Sequence, residues 1–215
     1  MSSPIKPEAR GRGVGAQLLN RGMQILCDQG AEAIYLDGVL RAVDLYERHG
    51  FRKLTRSWRF SGQLPGKLHP QVRLMSADDL EQVLRLDESY FGADRSFFLR
   101  RRFQLFPDLS YVLMHGSEIT GYILGRQGTG WLSAGPWVVR EQSANIEALL
   151  HAIALHAEDI SISLGVLDTN REALELLRSF GFAERSDSPW RMVWGKGGDL
   201  GASPGCYAVG SAAKG

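Results

Sequence analysis

Arg10-Gly11-Arg12-Gly13-Val14-Gly15-Ala16, followed at once by Gln17-Leu18-Leu19-Asn20-Arg21-Gly22-Met23, decides how the rest of this 215-residue chain is read. Alternating glycines let a backbone turn tightly and present several N–H groups on one side. The run behind them predicts a helix over 13–29, because Val14, Leu18, Leu19, Ile25 and Leu26 form one apolar flank at helical spacing. A glycine loop entering a helix is a cradle for phosphate. It offers unpaired amides and the positive end of the helix dipole, and here Arg10 and Arg12 add side-chain cations. The other reading of so short a motif is an arginine–glycine surface loop.

Composition narrows the class. Hydrophobic residues make up 44% and charged residues 23%, as in ordinary globular proteins. A net charge of +1 gives no global pull toward nucleic acid or an anionic membrane. Arg95, Arg100, Arg101 and Arg102 cluster locally and read as the solvated face of a helix. There is no run of eighteen apolar residues, and the opening Met-Ser-Ser-Pro-Ile-Lys-Pro lacks the apolar stretch of a signal peptide. The two cysteines, Cys27 and Cys206, stand far apart at no metal-binding spacing. The expectation is a reduced, cytoplasmic protein with no metal, nucleic-acid or membrane partner.

Along the chain, Ala33 to Asp37 predicts a strand, Leu40 to His49 a helix stopped by Gly50, and Phe51 to Phe60 an alternating strand or hairpin. Residues 62–70, rich in proline and glycine, read as a linker between units over 1–61 and 71–215. The second unit opens with a strand from Val72 and a helix capped by Ser76. A helix over 95–105 follows, then strands over 111–115, 119–125 and 131–139. Gly135-Pro136 within the last of these predicts a kink or an edge position. A helix over 143–157, a strand over 160–166, a helix over 170–180 and a strand over 191–194 complete an α/β pattern with a mixed sheet flanked by helices.

An internal repeat organises these elements. Ile34-Tyr35-Leu36-Asp37 precedes a helix ending Leu45-Tyr46-Glu47-Arg48-His49-Gly50-Phe51; Leu164-Gly165-Val166-Leu167-Asp168 precedes one ending Leu176-Leu177-Arg178-Ser179-Phe180-Gly181-Phe182. Each copy runs strand, aspartate, helix, Gly-Phe, strand, so duplication is the expectation.

These residues resemble the GNAT-type N-acetyltransferases. Arg10-Gly11-Arg12-Gly13-Val14-Gly15 fits that family's pyrophosphate signature, and Leu45-Tyr46 before Gly50-Phe51 fits its later helix. The whole chain is similar to tandem members, with Phe91-Gly92-Ala93-Asp94-Arg95, Gly135-Pro136, Pro189-Trp190-Arg191-Met192 and Ala213-Lys214-Gly215 in the second unit. The resemblance implies acetyl-coenzyme A held by Arg10, Gly11, Arg12, Gly13, Val14, Gly15 and Ala16, with acyl transfer to the amine of a small molecule or peptide. It also implies that Tyr46 protonates the departing thiolate; the other reading of Tyr46 is a half-buried helix residue. The family builds further strands before its glycine loop, so the first copy is expected to be incomplete, with an exposed sheet edge for a second copy of the chain to cover. The second unit has Val139-Arg140-Glu141-Gln142-Ser143 in place of the loop and Leu177 in place of the tyrosine, which implies a non-catalytic partner.

Two rivals stand beside this reading. Gly11-x-Gly13-x-x-Ala16 with Asp37 beyond it suits a dinucleotide-binding enzyme, but no buried strand leads into the first glycine. The other is a catalytically inactive GNAT-fold protein that acts through binding. Asp37 and Asp168 are candidate bases for an amine, although capping of the following helices is the preferred expectation. Trp190, Arg191 and Trp194 read as core rather than as a cleft wall.

Overall fold

Gly13 takes a left-handed conformation, φ 75°, which a glycine adopts at little cost, and opens α1 (Val14–Asp28). The structure, a computed structural model, describes residues 12–210. Arg10 and Gly11 of the expected cradle lie outside them, as does Ala213-Lys214-Gly215. Beyond Gly30 the chain forms β1 (Ala33–Gly38), a 3₁₀ turn, α2 (Val43–Arg48) and β2 (Arg52–Gly62). A second series runs β3 (Val72–Leu74), α3 (Leu80–Phe91), α4 (Ser96–Leu105), β4 (Ser110–His115), β5 (Glu118–Gly128) and β6 (Trp131–Val139). It continues with α5 (Ala148–Ala154), β7 (Ser161–Leu167), α6 (Arg171–Ser179), β8 (Ala183–Glu184), β9 (Trp190–Gly195) and β10 (Cys206–Ala208).

The strands form one mixed sheet in the order β1-β9-β2-β7-β6-β5-β4-β3, with β8 on β2 and β10 on β6. β6 and β7 are parallel, and the other described pairs are antiparallel. The two strand–helix–strand segments that the sequence reads as repeats, β1-α2-β2 and β7-α6-β9, are interlocked. β2 lies between β7 and β9, while β9 lies between β2 and β1. The last strand of each repeat is thus paired on both sides by strands of the other.

Helices cover both faces. α5 and α6 bury Leu149, Leu150, Ile153, Leu174 and Leu177 against Phe60, Ile162, Leu164 and Val166. On the same face Val43, Phe51 and Met192 form a smaller cluster on which α1 lays Leu19 and Met23. α3 and α4 cover the opposite face, packing Val83, Leu86 and Leu99 against Val112, Tyr122, Leu124 and Val138. The expected cap at Ser76 is realised as a capping box. The Asp79 carboxylate accepts from the Ser76 N–H at 2.7 Å and also from Arg73, which brings its pKa down to about 2.

Two elements differ from the sequence reading. The helix expected over 143–157 begins only at Ala148; within the expected span Asn145 adopts a left-handed φ of 59°, which a helix cannot contain. Gly135-Pro136 stands in a central strand rather than at an edge. It marks where β6, paired to β7 over Trp131–Ser133, parts from it.

Candidate active site

The cradle and the tyrosine share one face of the sheet. Among the described residues no side chain caps the N-terminus of α1, and its first turn contains no acid. Arg12, Gly13, Val14, Gly15 and Ala16 are the described residues of the expected cradle, and they form the turn and first residues of this helix. Tyr46 lies on α2 and packs on the same Val43–Phe51–Met192 cluster as Leu19 and Met23 of α1. Its ring meets Phe51 edge-on at 5.8 Å. It also lies over the end of β1: a Cβ added at Gly38 would stand 3.1 Å from the Tyr46 ring and 2.8 Å from the Met192 sulfur. Glycine at 38 is what lets the ring reach this position.

Asp37 has neither expected role. Its carboxylate is fully buried and accepts from Ser57 at 2.9 Å, from Arg191 Nε and from Arg59. The following 3₁₀ turn is preceded by Val39 with no side-chain cap. Asp37 therefore ties β1 to both β2 and β9, and two guanidiniums around one carboxylate leave the cluster with an excess positive charge. Burial lowers the pKa of Arg59, opposed by the adjoining Asp37. Asp168 does not cap either. It accepts from the Trp58 indole N–H at 2.8 Å and from Arg171 at 3.2 Å, while Asn170 caps α6 by accepting from the Ala173 amide.

Sequence reasoning did not single out Arg56. Its guanidinium carbon lies 4.8 Å from the Trp58 ring centroid and 5.1 Å from that of Trp190. Arg56 and Trp190 are cross-strand partners, as are Trp190 and Gly38. The Arg-x-Trp spacing at 56–58 was the available signal, since residues two apart in a strand share a face.

In the second repeat the gap between β6 and β7 is filled by the chain itself. β10 pairs with β6 at Val138, the Val139 amide donates to the Gly205 carbonyl at 2.9 Å, and the Val209 amide donates to Gly165 of β7 at 2.8 Å. Tyr207 is buried there against Trp137, with ring centroids 5.0 Å apart. Asn170 Nδ2 donates to the carbonyls of Pro204 and Cys206, and buried Arg102 donates to those of Gly135 and Gly210. With no acid beside it, desolvation lowers the pKa of Arg102 to about 10. Any side chain at Gly135 would collide with the Val209 carbonyl. Burial raises the pKa of the Cys206 thiol to about 12, which leaves it unreactive at neutral pH. Among the described residues no group of His, Cys, Asp and Glu is placed to hold a metal, and no helix is long and apolar enough to cross a membrane.

Comparison with known proteins bears on both repeats. A profile described as an acetyltransferase (GNAT) domain matches residues 83–200, more than half of the chain, and a second of the same description matches 5–53. The holothin acyltransferase of Pseudoalteromonas sp. (strain SANK 73390) is 24% identical over 199 residues, covering 89% of this chain and 65% of that protein. The thialysine N-epsilon-acetyltransferase of Sus scrofa is 36% identical over 67 residues, covering 27% of this chain and 39% of that one. The chain thus spans less than two thirds of either curated relative. Among solved structures, a Pyrococcus horikoshii protein superposes with a TM-score of 0.77 at 22% identity, over 98% of this chain and 69% of its own. A GCN5-related N-acetyltransferase from Sphaerobacter thermophilus superposes with a TM-score of 0.64 at 20% identity, over 93% and 73%.

Proposed function

Because the chain belongs to the GNAT acetyltransferase family, we propose that it binds acetyl-coenzyme A on the loop Arg10–Ala16 and transfers the acetyl group to a primary amine. One observation supports this assignment: Gly13 opens a fifteen-residue helix whose N-terminus has, among the described residues, neither a side-chain cap nor an acid in its first turn. The pyrophosphate takes those amides, helped by Arg10 and Arg12. The unprotonated acceptor nitrogen attacks the thioester carbonyl carbon, and the C–S bond breaks with its electron pair on sulfur. Tyr46 donates its phenolic proton to the thiolate; the nitrogen releases one to water, from which the phenolate is reprotonated.

In this reading the chain is a tandem GNAT protein with units over 1–61 and 71–215, joined by 62–70. Only the first unit carries transfer chemistry. The absence of glycine at Val139–Ser143, Leu177 at the tyrosine position and the occupation of the β6–β7 gap by β10 all support a structural role for the second. The protein works in the cytoplasm, and the free edge of β1 pairs with a second copy.

Thermal unfolding with millimolar acetyl-coenzyme A, with NADH as the control, tests the assignment. Ligand at a hundred times its dissociation constant stabilises a folded site by about 2.7 kcal/mol, a shift of several degrees. Gly13→Val should abolish the shift. A Cβ added there would meet no described residue within 4 Å, so the disturbance is to the left-handed backbone, and Gly13→Asn should retain most of the binding. A cooperatively folded chain that shifts with neither ligand would instead favour an inactive GNAT-fold binding protein.

A further inference from the structure

Resting on that reading, we infer that the acceptor amine also carries a carboxylate, and that Arg56, held between Trp58 and Trp190, is its receptor. Among the described residues, Arg56 is the half-buried arginine with neither an ion pair nor a hydrogen bond. The other arginines at comparable or greater burial are engaged: Arg59 and Arg191 by Asp37, Arg95 by Asp87, and Arg102 by two carbonyls. Arg56 has its two indole neighbours instead, and its Nε is buried without a partner. A guanidinium lying against indole rings is shed of part of its water and fixed in orientation, while its planar fork remains suited to a carboxylate.

The surrounding charge favours an anion. Lys53 lies 5.8 Å from the Trp190 ring and pairs with Glu47 at 2.9 Å. Asp168 is the cross-strand neighbour of Arg56, its amide donating to the Arg56 carbonyl at 2.9 Å, and its carboxylate is engaged by the Trp58 indole and by Arg171. Lys53, Arg56 and Arg171 against Glu47 and Asp168 leave one positive charge, and among these Arg56 is the cation with no ion pair to a described residue.

Position links this receptor to the proposed chemistry. Trp190 is the register partner both of Arg56 and of Gly38, over which the Tyr46 ring lies. Adjacent strands are about 4.8 Å apart, so the backbone of Arg56 stands about 10 Å from that of Gly38. The arginine side chain spans much of that interval. An amine reacting beside Tyr46 would have its carboxylate a few bonds away, as in an amino acid, rather than being a simple diamine.

Tryptophan emission of the full chain, titrated with 6-aminohexanoate and with cadaverine, tests the inference without any acyl donor. The two probes share a chain and an amine, and only the first has a carboxylate. We expect 6-aminohexanoate to change the emission saturably and to bind at least tenfold more tightly than cadaverine, with the difference shrinking as salt is raised. Arg56→Gln should erase the preference, and Arg56→Lys, which retains charge but loses the planar fork, should retain only part of it. Equal responses to the two probes, or an Arg56→Gln protein that still unfolds cooperatively and still prefers 6-aminohexanoate, would overturn the inference. Binding of 6-aminohexanoate without any acetyl-coenzyme A shift would instead sink the transferase reading and leave the receptor standing.

Discussion

Helices α1 and α5 occupy corresponding places in the two repeats, each leading into a strand that ends at an aspartate, yet they are packed in opposite ways. All seven residues of α5 are buried, and none of the fifteen in α1 is. α5 has the sheet on one side and the 62–70 segment on the other, where Lys67 donates to the His151 carbonyl and His151 Nδ1 donates to Pro65. α1 has only the Val43–Phe51–Met192 cluster beneath Leu19 and Met23. Its outer flank leaves Leu18 at 59% and Ile25 at 43% exposure. Buried α5 therefore belongs to the stable end of the molecule, while half-exposed α1 has few apolar contacts to hold it closed.

The seam between the repeats is where this contrast breaks most readily. Asp37→Ala leaves Arg59 and Arg191 buried without their carboxylate, and losing one partner of such a pair costs about 3–5 kcal/mol. If the contrast is right, hydrogen exchange should then quicken across α1 and β1 well before α5. Uniform loss of protection would mean that the two repeats melt as one. Next in size, Leu150→Ala in α5 should cost about 2–5 kcal/mol in denaturant unfolding, whereas Leu18→Ala in α1 should change stability by less than about 0.5 kcal/mol. Comparable losses would contradict the packing difference.

Acid offers a third and smaller lever, confined to the start of α3. Asp79 has a folded pKa of about 2 against an ordinary 3.8, first because Arg73 donates to its carboxylate and further because of the Ser76 capping box. A depressed carboxylate stabilises the folded state above its unfolded pKa, so this contribution is complete above about pH 5 and lost as pH falls toward 2. The shift corresponds to about 2 kcal/mol. Asp79→Asn should flatten this part of the stability–pH profile between about pH 5 and 2, measured by denaturant unfolding at each pH. An unchanged profile would show that Asp79 does not hold α3.

What was legible in the sequence follows from how local each determinant is. Gly50 reads as a helix stop, and it adopts a left-handed φ of 85°. The alternation over 51–60 announced β2, and Ser76 announced its helix. Interlocking of the repeats was not legible, because a strand's pattern states which face is apolar but not which strand lies beside it. Asp37 was read as a cap since it ends a strand before a helix; its actual partners stand 20, 22 and 154 residues away. β10 escaped altogether. Cys206-Tyr207-Ala208 is too short to show a period, and only the tertiary gap between β6 and β7 makes it a strand.

The smallest effect on stability carries the most information about assembly. Among the described residues β1 pairs with β9 on one side only, and the exposed flank of α1 lies in the same part of the chain. A second copy placed antiparallel along β1 would pair that edge with its own equivalent and bring two α1 flanks together, as an isologous contact requires. Leu18→Gln combined with Ile25→Gln should leave the unfolding midpoint of the isolated chain nearly unchanged, since both side chains already face water. The same pair should shift sedimentation from dimer to monomer at micromolar concentration. A wild-type chain that sediments as a monomer at every concentration would mean that the α1 flank serves the ligand alone. The openness that distinguishes α1 from α5 would then belong to the cofactor site and not to an interface.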